Sequence, residues 1–366
     1  MNPMLKLFFA VMMIMALIFG YAGVYFPLEQ YDFERLHIFL FNLCTGGTII
    51  LYFTEGTGRL SPRTITFLVA SLFYALFAFL NIYPMVIFIS LGLASIVESF
   101  RIERFSLLPW NFFSLKESVS AKFHQASLLC LSIGLFMSTA IIINNEYLHV
   151  LTMEKLVLNT FFLGFSFPLS LITLSVIFSM IRQNGASRTG ILSVICFWTI
   201  NLGVIIFFVF ILFERFYPQI AVTLTLFVAV STVLVLYVRY GRKMQQKEFL
   251  SSGIGFLIVT AISGIVYIFY QMSPGYTHEN TRWLLRLHTF ASLYGWNLCG
   301  LAVICRFRDF PIRLHSGVVI AVHWLTALIL APLGTTYALI SILAVMGYIF
   351  IVFTLFFSKD KRALNE

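Results

Sequence analysis

The chain has 366 residues, of which 60% are apolar and only 11% charged, against about 25% charged in soluble domains. So few charges cannot cover a water-exposed surface, which excludes a soluble enzyme, a nucleic-acid binder and a disordered scaffold and leaves a polytopic membrane protein. The formal charge of +9 fits the Lys and Arg that membrane proteins collect on one face, and the five Cys form neither CxxC nor CxxCH, which argues against a disulfide framework, a thiolate zinc site and covalent c-type haem.

A spanning helix needs about 20 apolar residues. In chain order the sequence predicts twelve: 5–27, 34–54, 64–83, 84–100, 124–143, 157–181, 189–213, 217–238, 250–271, 283–304, 316–333 and 335–357. The first is too long for a signal peptide, and no small-x-small cleavage site precedes the acidic segment Glu29 to Glu34. The third and fourth meet at a tight turn, Asn81-Ile82-Tyr83-Pro84. Counting the N-terminus as inside, the inner segments hold 19 of the 24 Lys and Arg, and the outer ones hold Arg35, Lys155, Arg215, Arg282 and Arg286. That asymmetry places both termini in the cytoplasm, and the expected location is a prokaryotic inner (cytoplasmic) membrane. The longest connection, 101–123, is basic and aromatic and too short for a soluble domain. Residues 1–366 therefore read as a single integral-membrane domain, partnered by lipid and not by nucleic acid.

A repeat runs through the spans. The second opens Arg35-Leu36-His37-Ile38-Phe39 and the tenth Arg286-Leu287-His288-Thr289-Phe290, both RLHxF. The sixth opens Val157-Leu158-Asn159-Thr160-Phe161, with Asn in place of His. The intervals are 122 and 129 residues, four spans each. Seven residues beyond these positions stand the small residues Cys44, Ser166 and Gly295, expected on the same helix face.

A single membrane His is often a packing residue, yet an ionisable group in a bilayer is a functional candidate because it is costly to keep there. Two of them in matched contexts favour a shared role. Zinc normally takes three or four ligands, whereas haem iron takes two axial ligands and b-type haem needs no covalent link. His37 and His288 are thus candidate axial ligands of one low-spin haem b near the outer face. Cys44 and Gly295 would leave room for the macrocycle, and the 41 Phe would supply an apolar wall. Arg35 and Arg286 either pair with haem propionates or snorkel to the outer interface.

This pattern resembles subunit I of the haem–copper oxidases, a superfamily that includes nitric oxide reductases. The resemblance rests on twelve spans with both termini inside, a four-span repeat, and His near the outer ends of the second and tenth helices. The stretch LHTFASLYGWNLCGL, 287–301, is similar to the tenth helix of the reductase branch. The resemblance implies an all-α bundle of three four-helix arcs about a pseudo-threefold axis, with His37 and His288 on the low-spin haem. It also implies losses. Asn159 stands near the place of one copper ligand, the seventh span has no His for two more, and Arg286 occupies the place of the high-spin haem ligand. No copper is expected and no binuclear centre, so the chain would be a degenerate relative and not a terminal oxidase.

The remaining histidines are weaker candidates. His323 lies in the eleventh span as a core residue, His124 and His315 at inner helix ends, His149 and His278 in outer loops. Glu55 and Glu98 are expected in interfacial ion pairs with Arg59 and Arg101. The leading expectation is a membrane b-type cytochrome for electron transfer or ligand sensing, its partner an electron-transfer protein or a quinol. A twelve-helix secondary transporter is the alternative, but it would show a six-plus-six repeat and a longer central loop. A non-catalytic assembly subunit is the third reading.

Overall fold

The computed structural model describes residues 1–26, 31–114, 116–151, 153, 155–156, 160–182, 188–243, 246–307, 310 and 317–358. Twelve helices are long and apolar enough to cross a membrane: α1 (Pro3–Tyr25), α2 (Phe33–Glu55), α3 (Pro62–Phe79), α4 (Tyr83–Arg104), α5 (Val119–Leu148), α6 (Leu163–Met180), α7 (Arg188–Leu212), α8 (Phe216–Tyr240), α9 (Gln246–Gln271), α10 (His278–Cys305), α11 (Gly317–Gly334) and α12 (Ala338–Phe357). No strand forms among the described residues; the one extended pairing is an isolated bridge between Ile181 and Gly241. Every predicted span is a helix, as hydropathy demands of a chain that must close its backbone hydrogen bonds without water.

Local chemistry adjusts the boundaries. Asn81, at φ 56°, makes the left-handed turn that separates α3 from α4, a conformation Asn tolerates better than most residues. Helix α10 starts five residues earlier than its hydropathy predicts, because the Thr277 side chain accepts from Asn280 N and caps a polar first turn. His278 is therefore helical rather than in a loop.

The chain divides into two compact units, Met1–Ile172 and Thr173–Glu366. In the first, α5 and α6 meet at Gly134 and Gly164, where a Cβ on Gly134 would collide with the Gly164 backbone. Small residues let membrane helices approach this closely. The contact is sewn by Cys130 Sγ donating to the Leu163 carbonyl at 3.0 Å and Ser127 Oγ to the Pro168 carbonyl at 2.7 Å. Helix α2 offers Gly46 to Leu169 of α6 and Gly47 to Phe67 of α3. At the end of α4 the Arg101 guanidinium holds Glu98 at 2.6 Å and donates to the carbonyls of Ser106 and Leu107, tying down the loop that follows. Glu98 pairs as expected. Glu55 does not use Arg59 in this way: its carboxylate accepts from Ser61 N and Thr64 Oγ1 at the start of α3.

The second unit uses the same device. Gly300 of α10 abuts Thr173, Gly253 of α9 abuts Cys299, and Gly255 abuts Trp324 of α11, whose indole N–H donates to Ser252 Oγ at 2.7 Å. Arg306, after α10, donates to the carbonyls of Leu355 and Ser358 at the end of α12.

Three helices stand apart. In α2, α6 and α10, 72%, 78% and 78% of the apolar window is buried, against at most 56% in any other span. Each also contains a π-helical stretch at or beside the repeated segment, Phe39–Gly47, Thr160–Ser166 and Ala291–Asn297, as α5 and α11 do at Asn144–Leu148 and Thr326–Leu330. A π turn bonds to the fifth residue instead of the fourth, and Thr45 Oγ1 copies that reach by donating to the Leu40 carbonyl at 2.8 Å. Burial alone sets the second, sixth and tenth helices apart from the other spans.

Gly134→Ala should lower the melting temperature of the detergent-solubilised protein, since forcing α5 off α6 costs about 1–3 kcal/mol of overpacking. Gly92→Ala, whose Cβ would meet nothing within 4 Å, should leave it unchanged or raise it. Equal behaviour of the two variants in a thermal-shift assay would refute the close crossing.

Candidate functional site

His37 follows the first turn of α2, which is fixed at its start by Asp32: the carboxylate accepts from Arg35 N at 2.8 Å. Phe33 sets the entry angle by packing on Phe19 of α1 and Phe79 of α3, with ring centroids 6.0 and 5.2 Å apart. The imidazole is thereby turned onto α1. It is buried, and its Nδ1 lies 2.8 Å from the Ala16 carbonyl. Four residues beyond Ala16 stands Gly20, and a Cβ there would sit 2.9 Å from His37 Nδ1.

That glycine has a physical reason. The Ala16 carbonyl lies within α1, where its regular helical partner is the N–H four residues on. A second donor can reach its other lone pair only past the side chain at that same position. Glycine removes the obstruction. A glycine inside a helix costs about 1 kcal/mol relative to alanine, and here the opening it leaves is filled by the imidazole.

His288 repeats the arrangement in the second unit. Its ring lies against α9, with Nδ1 3.3 Å from Ser263 Oγ, which itself donates to the Thr260 carbonyl at 2.9 Å. Four residues beyond Thr260 is Gly264, whose Cβ would lie 3.4 Å from His288 Cε1. In both units, then, the histidine packs on the preceding span, with Nδ1 toward the Ala16 carbonyl in the first and toward the Ser263 hydroxyl in the second. With Nδ1–H donating, the imidazole lone pair sits on Nε2, the form and orientation that a metal-ligating histidine takes from its outer partner.

The other predicted residues fall around these two. The Arg35 side chain leans back on Asp32, with Nε 3.5 Å from Oδ2, and lines a small pocket of about 80 Å³ with Phe39, Tyr74, Tyr83, Ser138 and Glu146. Tyr74 and Ser138 are joined across that pocket by a 2.6 Å hydrogen bond. Arg286 is partly buried near the start of the apolar part of α10. Asn159 lies outside the described residues.

Of the small residues seven positions on, Cys44 is displaced from the expected face by the π turn, because seven residues of a wider helix fall short of two turns. Cys44 is turned to α3, its Sγ donating to the Ser71 carbonyl at 3.2 Å, whereas His37 faces α1. Ser166 is also within a π turn. Gly295 still faces α9, and its missing side chain admits the ring of Phe256.

His323 and His124 are held as core residues. His323 is buried, with Nε2 2.7 Å from the Tyr294 carbonyl and its ring against Phe256. His124 Nε2 lies 2.8 Å from Thr54 Oγ1, between the rings of Phe53 and Phe105. His149 and His278 are exposed, and His315 lies outside the described residues. Among the described residues no three His, Cys, Asp or Glu side chains are grouped to hold a metal ion. Comparison with protein-family models, curated proteins and solved structures finds no match.

The two glycines should differ under substitution. At Gly20 an added methyl must displace His37, so Gly20→Ala should lower the melting temperature despite its helical gain of about 1 kcal/mol. At Gly264 the methyl would make ordinary contact, so Gly264→Ala should be neutral or stabilising. Thermal melts of both variants check this, and a stabilised Gly20→Ala would dismiss the carbonyl opening at α1.

Proposed function

We propose that this chain is a membrane b-type cytochrome of haem–copper oxidase subunit I type, in which His37 and His288 would hold one haem b for electron transfer or ligand sensing. The observation that carries the reading is the paired anchoring: two histidines in RLHxF segments, each with Nδ1 held by the preceding span, His37 by the Ala16 carbonyl and His288 by the Ser263 hydroxyl. The donor chemistry fits haem iron, which needs two neutral imidazoles presenting Nε2.

When bound, the haem supplies reversible one-electron chemistry. The residues of this chain do the rest. The Ala16 carbonyl and the Ser263 hydroxyl fix the orientation of the His37 and His288 rings and make the other ring nitrogen more basic. Phe39, buried edge-on against Tyr74 and Phe165 with centroids 5.0 and 5.6 Å away, keeps water from the neighbourhood of α2. Arg35 and Arg286 place positive charge two residues before each ligand, suited to propionates. The ligand sets for copper and for a second haem are absent from the sequence positions where the superfamily has them, so the reading includes neither dioxygen nor nitric oxide reduction. It further places both termini in the cytoplasm of a prokaryotic cell, with a quinol or an electron-transfer protein as partner.

Purified protein should show a Soret band with sharp low-spin α and β bands on reduction, and no stoichiometric copper by elemental analysis. His37→Ala and His288→Ala should each abolish the low-spin spectrum, while His323→Ala should leave it. A colourless preparation from haem-replete cells would overturn the assignment in favour of a transporter or an assembly subunit. Stoichiometric copper would contradict the loss of the binuclear centre.

A further inference from the structure

In the second unit α10, α11 and α12 pack on one another, and α11 and α12 carry three buried polar side chains. His323 is 1% exposed, Thr326 3% and Tyr348 1%. Among the described residues, His323 Nδ1, Thr326 Oγ1 and the Tyr348 hydroxyl have no hydrogen-bond partner. The surrounding contacts draw them together. His323 and Thr326 are three residues apart on one face of α11. Gly347 of α12 abuts Thr326, where a Cβ would lie 2.6 Å from Oγ1. Tyr348, the next residue, packs edge-on against Tyr294 of α10 at 4.9 Å, and the Tyr294 carbonyl takes His323 Nε2. Both neighbouring helices are π-wound here, over Ala291–Asn297 and Thr326–Leu330, an irregularity common at functional sites.

We propose that this junction is an internal hydration site, in which water is bound by His323 Nδ1, Thr326 Oγ1 and the Tyr348 hydroxyl. An unsatisfied buried polar group costs about 1–3 kcal/mol, and three together would consume much of a typical folding free energy of about 5–15 kcal/mol. A shared partner removes that cost. Its chemistry follows from the atoms: with Nε2–H donating to Tyr294, Nδ1 is purely an acceptor, so the occupant must donate. A halide or a carbonyl oxygen cannot. The two hydroxyls both donate and accept, and a water makes two to four hydrogen bonds to such groups. Nothing in the argument uses haem, so this site and the cytochrome reading stand or fall separately.

The test is the full chain in detergent with Tyr348→Phe and Thr326→Val, each close in shape to the residue replaced. If water links the groups, each variant lowers the melting temperature by roughly 2–4 °C, and the double variant falls by less than the sum. If the cluster is dry, deleting an unsatisfied hydroxyl leaves the melting temperature unchanged or raises it, and the proposal is overturned. A density map at about 2 Å resolution gives the second readout. A peak within about 3.2 Å of both His323 Nδ1 and the Tyr348 hydroxyl upholds the site. Direct bonding among the three side chains, or an empty junction, sinks it even if a variant fails to fold.

Discussion

A helix carbonyl has two lone pairs, and its own helix uses only one. In water the second is solvated. In lipid it is the most available acceptor a neighbouring helix can find, because no backbone group there can turn to solvent. Access is governed by the side chain one turn further along. Glycine at that position opens the carbonyl, and in the first unit an imidazole enters, that of His37 above Gly20. The orientation of the His37 ring, the nitrogen that keeps its lone pair and the distance of α2 from α1 depend on that opening.

The same economy explains the distribution of glycine elsewhere. Without water to drive helices together, association rests on close packing, and Gly134, Gly164, Gly253, Gly255 and Gly300 each sit where a neighbouring backbone or side chain occupies the place of a Cβ. Hydroxyls follow a parallel rule. Ser127 satisfies a carbonyl of another helix, while Thr48 and Thr54 bond back to the carbonyl four residues earlier in their own. Thr326 does neither, which is why its surroundings differ in kind from an ordinary membrane threonine.

Much of this was legible in the residues. The twelve spans follow from hydropathy, and RLHxF at 35–39 and 286–290 singled out two helices whose histidines each hydrogen-bond the preceding span. The anchors themselves were not legible. Gly20 and Gly264 lie 17 and 24 residues before their histidines, on other helices, and no periodicity links residues across a connection of variable length. A glycine deep in an apolar helix was the available signal, since it costs stability unless something fills its place. The π turns were also hidden: a pattern read at 3.6 residues per turn put Cys44 beneath His37, and one widened turn sends it to α3. Thr277 could have been recognised as a cap, because Thr before a polar turn extends a helix past its apolar limit.

Those π turns carry history as well as geometry. A π turn is equivalent to an α-helix with one residue inserted, and the insertion rotates everything beyond it by about 100°. Once the segments on both sides have adapted to their neighbours, removing the extra residue would swing an adapted face away from its partner. In α2 the part after the π turn, Thr48–Glu55, is buried at six of its eight residues, so a deletion there would misplace all of them at once. The irregularity is therefore a ratchet: a lineage can acquire it in one step and can shed it only by rebuilding half a helix.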